Sequence, residues 1–285
     1  MPELPEVETI RRDLSRKIIG KKIKNVVVKK PRLIKSSTKK FVGALKNNVI
    51  KKIDRRGKLL IVHLGKDGFL LIHLKMTGQL IYKKGAKIVG GGHGELEGKK
   101  LPGKHTHIIF EFSDKSKLFF NDLRQFGYMK IVDKKELKEI LTGFGVEPLN
   151  CDFTLNKFRE ILKNKKTSIK QLLMNQKFIA GIGNIYADET CFLAKIKPTR
   201  KVATLTGNEI KSLFNSIKKV LKLAIKKRGT TFNNYRDADG NQGNFVKFLK
   251  VYGRQGELCK RCKNGKITKI KSGGRGTHYC SYCQK

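Results

Sequence analysis

Acidic residues and long apolar runs are both scarce in this 285-residue chain. Only 23 Asp and Glu stand against 64 Lys and Arg, a formal net charge of +41. Self-repulsion of that size works against compaction, so the excess asks for a polyanionic partner, nucleic acid before an anionic membrane surface. No stretch of 18 or more residues is apolar, which excludes an ordinary spanning helix. The first eight residues hold three glutamates and no basic residue. That is the wrong sign for a secretory signal, and no apolar segment follows. A reducing, cytoplasmic setting is therefore expected, where the six cysteines are metal ligands or free thiols rather than disulfides. Global disorder is excluded by the 39% hydrophobic residues and 28 glycines, and the length suits two domains.

The order of patterns divides the chain. Val7, Ile10, Leu14 and Ile18 recur at helical spacing, which predicts a helix over Glu6–Lys17. Runs rich in Val, Ile, Leu and Phe follow at Ile23–Val28, Leu59–Leu64, Phe69–Leu74, His107–Phe112 and Lys117–Phe120. Short strands behind one helix indicate a β-sandwich or barrel-like domain up to about residue 133. Lys83–Gly103 is rich in Gly and Lys and reads as an exposed, mobile loop. After Asp133 the period becomes helical, with helices expected at 134–141, 155–163, 168–176, 184–194 and 207–227. The last starts with a capping box, Thr206 to Glu209, and ends before Gly229. A tight turn, Ala180-Gly181-Ile182-Gly183-Asn184, separates two of these helices, and 229–245 is a polar, Gly-rich loop.

Cys259-x2-Cys262 and Cys280-x2-Cys283, 17 residues apart, have the spacing of a four-Cys zinc ribbon. Four protein ligands close the coordination shell, so one structural Zn2+ is expected. Two redox pairs are the alternative. Cys151 and Cys191 read as buried small hydrophobes. The tail is basic, and Arg275 sits among Gly273, Gly274 and Gly276, a composition suited to a hairpin tip that approaches a duplex closely.

The start, Met1-Pro2-Glu3-Leu4-Pro5-Glu6, carries a second chemistry. If Met1 is removed, the chain begins with a secondary amine of pKa about 8, against about 10.4 for Lys. Such an amine is partly unprotonated near neutral pH and can attack a carbonyl-like carbon such as sugar C1′. Glu3 and Glu6 could serve as general acid and proton shuttle. The plainer reading is a start residue followed by glutamates that favour a helix N-terminus.

These motifs together resemble the formamidopyrimidine-DNA glycosylase family, end to end. The resemblance rests on Pro2-Glu3-Leu4-Pro5-Glu6-Val7-Glu8-Thr9, Arg55-Arg56-Gly57-Lys58 and Ile72-His73-Leu74-Lys75-Met76-Thr77-Gly78. It continues through Asn121-Asp122-Leu123-Arg124-Gln125-Phe126-Gly127, Gly181-Ile182-Gly183-Asn184-Ile185-Tyr186-Ala187 and the cysteine module. It implies a multidomain α+β chain. An N-terminal catalytic β-sandwich domain with a leading helix would span 1–133 and a linker 134–150. A helix–two-turn–helix DNA-binding domain with the lesion loop would span 151–238, and a zinc-ribbon hairpin domain 239–285. It also implies a bifunctional glycosylase and abasic-site lyase of base-excision repair. Such an enzyme removes oxidised purines from duplex DNA and acts as a monomer, with no membrane partner. By the same resemblance Pro2 is the nucleophile, Glu3 the acid, Glu6 a supporting carboxylate and Lys58 a lysine near the lesion. Met76, Arg124 and Phe126 fill the gap left by a flipped base. His107, Lys170, Asn184 and Arg275 bind DNA, and 229–245 closes over the extruded base. The chain departs from the family pattern at Lys75, Thr106, Leu123, Gln125 and Val146, where Gly, Asp, Pro, Arg and Pro are usual. None of these removes a catalytic group. The rival readings are a related glycosylase for oxidised pyrimidines, a non-catalytic zinc protein that reads damaged DNA, and a zinc-ribbon RNA-binding protein.

Overall fold

The computed structural model describes residues 1–65, 68–85, 87–93, 101–230, 235–236 and 244–285. By packing the chain forms two compact units, Met1–Thr142 with Lys227–Val246 and Gly143–Lys226 with Lys247–Lys285. No helix among the described residues is long and apolar enough to cross a membrane.

The first unit is a β-sandwich. Helix α1 (Leu4–Ile18) is followed by β1 (Ile23–Val28), α2 (Thr38–Leu45), β2 (Ile50–Arg56), β3 (Leu59–Leu64), β4 (Phe69–His73) and β5 (Gly78–Lys84). Then come β6 (Lys87–His93), β7 (Thr106–Phe112), β8 (Lys117–Asp122), β9 (Tyr128–Val132) and α3 (Lys134–Thr142). One sheet runs β2-β3-β4-β9. The other runs β1-β7-β8-β5-β6 and ends on a two-residue strand β10 (Tyr235–Arg236). The inner faces meet in one apolar core that includes Leu60, Ile72, Leu80, Ile108, Phe110 and Phe120, with Ile10 and Leu14 of α1 packed into it. Each fully buried aliphatic or aromatic side chain contributes about 1.5–3 kcal/mol by leaving water.

Part of the glycine-rich segment expected as a mobile loop is strand. Lys87–His93 pairs antiparallel with β5, from Gln79↔Gly92 to Lys84↔Lys87. Glycine lowers strand propensity but does not remove backbone donors and acceptors, and the β5 ladder supplies their partners. Residues 94–100, and 231–234 and 237–243 of the expected 229–245 loop, lie outside the described residues.

The second unit is helical. It contains α4 (Leu155–Leu162), α5 (Ile169–Met174), α6 (Asn184–Leu193), α7 (Gly207–Lys226) and a terminal hairpin of β11 (Ile267–Ser272) and β12 (Arg275–Cys280). The capping box of α7 forms. Glu209 accepts from the Thr206 backbone at 2.8 Å and the Thr206 hydroxyl accepts from the Glu209 backbone at 3.3 Å. Leu213, Ile217, Leu221 and Ala224 form its buried stripe. Cys191 is buried, and burial pushes its thiol pKa up, as an inert core residue requires. Cys151 is exposed, against expectation, because it lies in the turn that precedes α4 rather than on a helix face.

Candidate active site and nucleic-acid interface

The start of α1 is built around Glu6, which is fully buried. Its Oε2 accepts the Glu3 backbone N–H at 2.8 Å, half of a capping box. Its Oε1 accepts the Thr230 N–H at 2.7 Å and the Thr230 hydroxyl at 3.0 Å. The carboxylate thus ties the first helical turn to the stem of the 229–245 loop. Gly229, at φ +80°, permits the approach, since a Cβ there would lie 2.7 Å from Glu6 Oε1. Within the same unit Asp13 of α1 pairs with Arg16 and Arg228. Nearby, Glu8 is held by Arg11, Arg12 and Arg55. Burial raises the Glu8 pKa, but these guanidinium groups outweigh it and bring the carboxyl down to about 2.

The amino terminus sits inside this charge arrangement. Pro2 and Glu3 are buried, and so is Lys58 at the turn from β2 to β3. Burial lowers the pKa of the Met1 α-amine below its ordinary 8.0. Glu3 and Glu6 act against that shift, while Lys58 and Arg124 add to it. Those opposing influences locate all four side chains around the chain start.

Two turns of the sandwich meet beside it. The buried Asp122 accepts from the Thr77 hydroxyl and, at 3.2 Å, the Arg124 N–H with Oδ1, and from the Gly127 N–H at 2.7 Å with Oδ2. The Thr77 hydroxyl also accepts the Arg124 N–H at 3.0 Å. One carboxylate therefore joins the Lys75–Thr77 turn to the Leu123–Gly127 turn and brings Met76, Arg124 and Phe126 together. Phe126 is 53% and Leu123 58% exposed. The Arg124 guanidinium lies over the Phe126 ring, 4.7 Å from its centroid. Each turn holds a non-glycine residue in the left-handed region, Lys75 at φ +50° and Gln125 at φ +55°. Both are positions where the chain departs from the family pattern.

His107 is brought to this hub, though not to its surface. The side chain is 2% exposed and its Nε2 lies 2.8 Å from the Asp122 carbonyl oxygen. It supports the turn from beneath. His73 on β4 escaped the sequence reading. Its Nδ1 accepts the Lys75 N–H at 3.0 Å, and its ring lies 5.7 Å from that of Tyr128. Burial, with Lys75 and Lys58 nearby, brings its pKa down to about 3, so the imidazole is neutral. The available signal was its place two residues before the Lys75–Met76 turn.

In the second unit Gln176 shapes the turn ahead of α6. Its carboxamide donates to the Met174 and Ile182 carbonyls and accepts the Gly181 N–H, each at 2.8 Å. Asn184 then opens the helix, its Nδ2 3.4 Å from the Tyr252 hydroxyl, and its buried Oδ1 has no partner among the described residues. A helix N-terminus with an adjacent amide and phenol is suited to an anion. Tyr252 was missed because it lies in an irregular segment. Arg275 is exposed at the tip of the β11–β12 hairpin, opposite Ser272 across Gly273 and Gly274 at φ +54° and +73°.

Lys170 is placed differently from the expectation that it meets phosphate. It is 2% exposed, and its ammonium faces Asp188 Oδ1 at 2.7 Å, the Gly276 carbonyl at 2.9 Å and the Thr277 hydroxyl at 2.9 Å. Two hydrogen bonds and one ion pair direct this lysine inward. The α5 capping box, Ser168 with Gln171, aims it there.

Cys259, Cys262, Cys280 and Cys283 converge, with all sulfurs within 4.8 Å of one another. The Cys259–Cys283 and Cys262–Cys280 separations are 3.8 and 3.7 Å. Disulfide bonding needs about 2.05 Å. Four thiolates at about 2.3 Å from a tetrahedral zinc would stand about 3.8 Å apart, so the residues present fit that ion.

Known proteins resemble this arrangement throughout. Residues 1–129 match the family model described as the formamidopyrimidine-DNA glycosylase N-terminal domain, and residues 144–235 the H2TH domain of the same enzyme. Formamidopyrimidine-DNA glycosylase of Pelotomaculum thermopropionicum is 42% identical, with 100% of this chain and 99% of that protein covered. The Carboxydothermus hydrogenoformans protein of the same name is 44% identical over the whole of both chains. Among solved structures, Lactococcus lactis Fpg in complex with abasic-site DNA superposes with a TM-score of 0.88 at 35% identity, covering 99% of each chain. Its wild-type complex with DNA containing N7-benzyl-Fapy-dG superposes at 0.87, with 36% identity and full coverage.

Proposed function

Because the chain belongs to the formamidopyrimidine-DNA glycosylase family, we propose that it removes oxidised purines, 8-oxoguanine and formamidopyrimidines, from duplex DNA and then cleaves the abasic site. The observation that carries this reading is the chain start, where Pro2 and Glu3 are buried and the fully buried Glu6 carboxylate holds the Glu3 backbone. A protein that only binds damaged DNA has no use for a buried Pro2 beside two buried carboxylates. The L. lactis complexes with abasic-site and Fapy-dG DNA support the same substrate class.

In this reading Met1 is removed and the Pro2 nitrogen attacks C1′ of the damaged nucleotide. The bond from C1′ to the base breaks, and the base leaves with the electron pair and a proton. Glu3 protonates the ring oxygen as the sugar opens to an iminium ion. The iminium acidifies C2′, whose proton is lost as the 3′-phosphate departs. A second elimination releases the 5′-phosphate, and water then hydrolyses the iminium, freeing the unsaturated sugar fragment and restoring the Pro2 amine. Glu6 positions Glu3 through its backbone, and Lys58 supplies positive charge near the phosphates.

Extruding a base costs a few kcal/mol of pairing and stacking. Met76 and Phe126, as apolar wedges, and Arg124, as donor to the orphan base, offset part of it. Asn184 and Arg275 bind phosphate, and affinity falls steeply with salt. His107 acts through the Asp122 turn. Residues 1–133 carry the chemistry, while 151–238 and 239–285 hold the duplex, and the chain acts as a monomer. Zinc on the four cysteines supplies structure to the hairpin, since no ligand position is left open.

The test is an end-labelled duplex with one 8-oxoguanine opposite cytosine. Release of the base and a one-nucleoside gap with phosphate at both ends is expected. An intact strand after prolonged incubation would sink the proposal.

A further inference from the structure

The Lys170 contacts continue into a buried network. Asp188 on α6 has no exposed surface. Its Oδ1 takes the Lys170 ammonium, and its Oδ2 accepts the His278 backbone N–H at 2.8 Å and lies 3.3 Å from His278 Nδ1. His278 is 5% exposed and its ring lies 4.9 Å from that of Tyr252. Lys170 holds the Gly276 carbonyl and the Thr277 hydroxyl. Three consecutive residues of β12, immediately after Arg275, are therefore bound to two helices through one ion pair. The tip is held closely as well: a Cβ at Gly273 would lie 2.6 Å from Gln171 Nε2.

A two-stranded hairpin is at best marginally stable alone. A zinc ion on the four cysteines would fix only the far end of this one, at Cys280, while Arg275 lies at the opposite end of β12. Buried charged and polar groups are costly unless partnered, so this ion pair with its hydrogen bonds to β12 favours one geometry. Here that geometry is the direction in which Arg275 leaves the hairpin.

We propose that Asp188, with Lys170 and His278, is a positioning device that aims Arg275 at a DNA phosphate, and that Lys170 itself does not touch DNA. The inference rests on the DNA-glycosylase reading above. It assigns Asp188 and His278 a role in affinity although neither reaches the surface.

The experiment is a double-mutant cycle on the zinc-loaded full-length protein, reading the dissociation constant for a duplex with a tetrahydrofuran abasic-site analogue across a salt series. Lys170→Met combined with Asp188→Leu removes both charges together, and zinc content is measured on every variant. One zinc per chain is expected to remain. The affinity loss should match that of Arg275→Ala, about tenfold, and the salt slope should fall by about 0.9, the value for one phosphate contact. Adding Arg275→Ala to the charge-free pair should cost nothing more. Losses that multiply would overturn the proposal, and so would unchanged affinity in the charge-free pair.

Should that pair fail to fold, Thr277→Val removes a single acceptor. A partial loss that disappears in the Arg275→Ala background supports the proposal, and a loss that persists there overturns it. The underlying reading fails separately. In that case the wild-type protein would not prefer the abasic-analogue duplex to an undamaged one, whatever the cycle gives.

Discussion

The chain start and the paired turns at Met76 and Phe126 lie in the same unit but are built in opposite ways. Around the amino terminus charge is buried: Glu3, Glu6, Glu8 and Lys58 are each under 8% exposed. At the paired turns the apolar side chains are outside, with Leu123 and Phe126 more than half exposed, while the anion that organises them, Asp122, is inside. Ordinary folding energetics reward neither arrangement. Buried charges need partners, and exposed large apolar groups forgo burial. The first makes sense where desolvation tunes an amine and fixes carboxylates. In the proposed reaction the second makes sense as an apolar surface that is needed only once a base stack opens to receive it.

That contrast sets the expected outcomes. The largest effect belongs to the buried region. Glu3→Gln keeps the shape but removes the acid, so base release should slow by about 10²–10⁴-fold while lesion binding and melting temperature hold. Single-turnover assays beside a thermal melt check this, and a matching loss of stability would mean Glu3 is structural. Next comes Asp122→Ala, which frees three donors on two turns. Hydrogen bonds to a charged group contribute about 1.5–3 kcal/mol each, so denaturant unfolding should show a loss of at least that size, with lesion affinity falling too.

Phe126→Ala should separate the regions most cleanly. An exposed ring changes stability by no more than about 0.5 kcal/mol, yet affinity for a lesion duplex should drop roughly tenfold, in line with about 1–3 kcal/mol per stacked base. Equal affinity would remove the wedge role.

The smallest effect is the pH response. The folded pKa of His73 is about 3 against an ordinary 6.5, so the unfolded chain binds the extra proton between those values. Stability should decline as pH falls from 6.5 toward 3. Glu8, at about 2 against 4.5, adds a second decline between 4.5 and about 2. His73→Gln should flatten the stretch from 6.5 to 4.5 in denaturation curves taken at stepped pH, and leave the lower one.

Much of this was legible where one signal governs one element. The helical spacing of Val7, Ile10 and Leu14 located α1, and the cysteine spacing located the four-Cys cluster. The elements that escaped are those whose pattern is broken. A bulge between Ile50 and Lys52 interrupts the alternation of β2, so only Ile50 and Ile53 are fully buried there. Helix α2 has just Phe41 and Leu45 in the core, one turn apart, with Gly43 between them. At the site, residue identities were readable but their directions were not. Lys170 and Arg275 look alike as basic residues beside turns. Only the acceptors supplied from far along the chain, Asp188 and the β12 backbone, turn one inward. His73 and Tyr252 carried no spacing of their own and emerged only beside Lys58 and Asn184.

The central claim is that the chain start is a nucleophile. Borohydride trapping on a duplex with one 8-oxoguanine opposite cytosine, followed by peptide mapping, tests it directly. The account predicts a covalent adduct at Pro2 that disappears with Pro2→Gly. Tight lesion binding with no adduct, or an adduct at a lysine that survives Pro2→Gly, would contradict it.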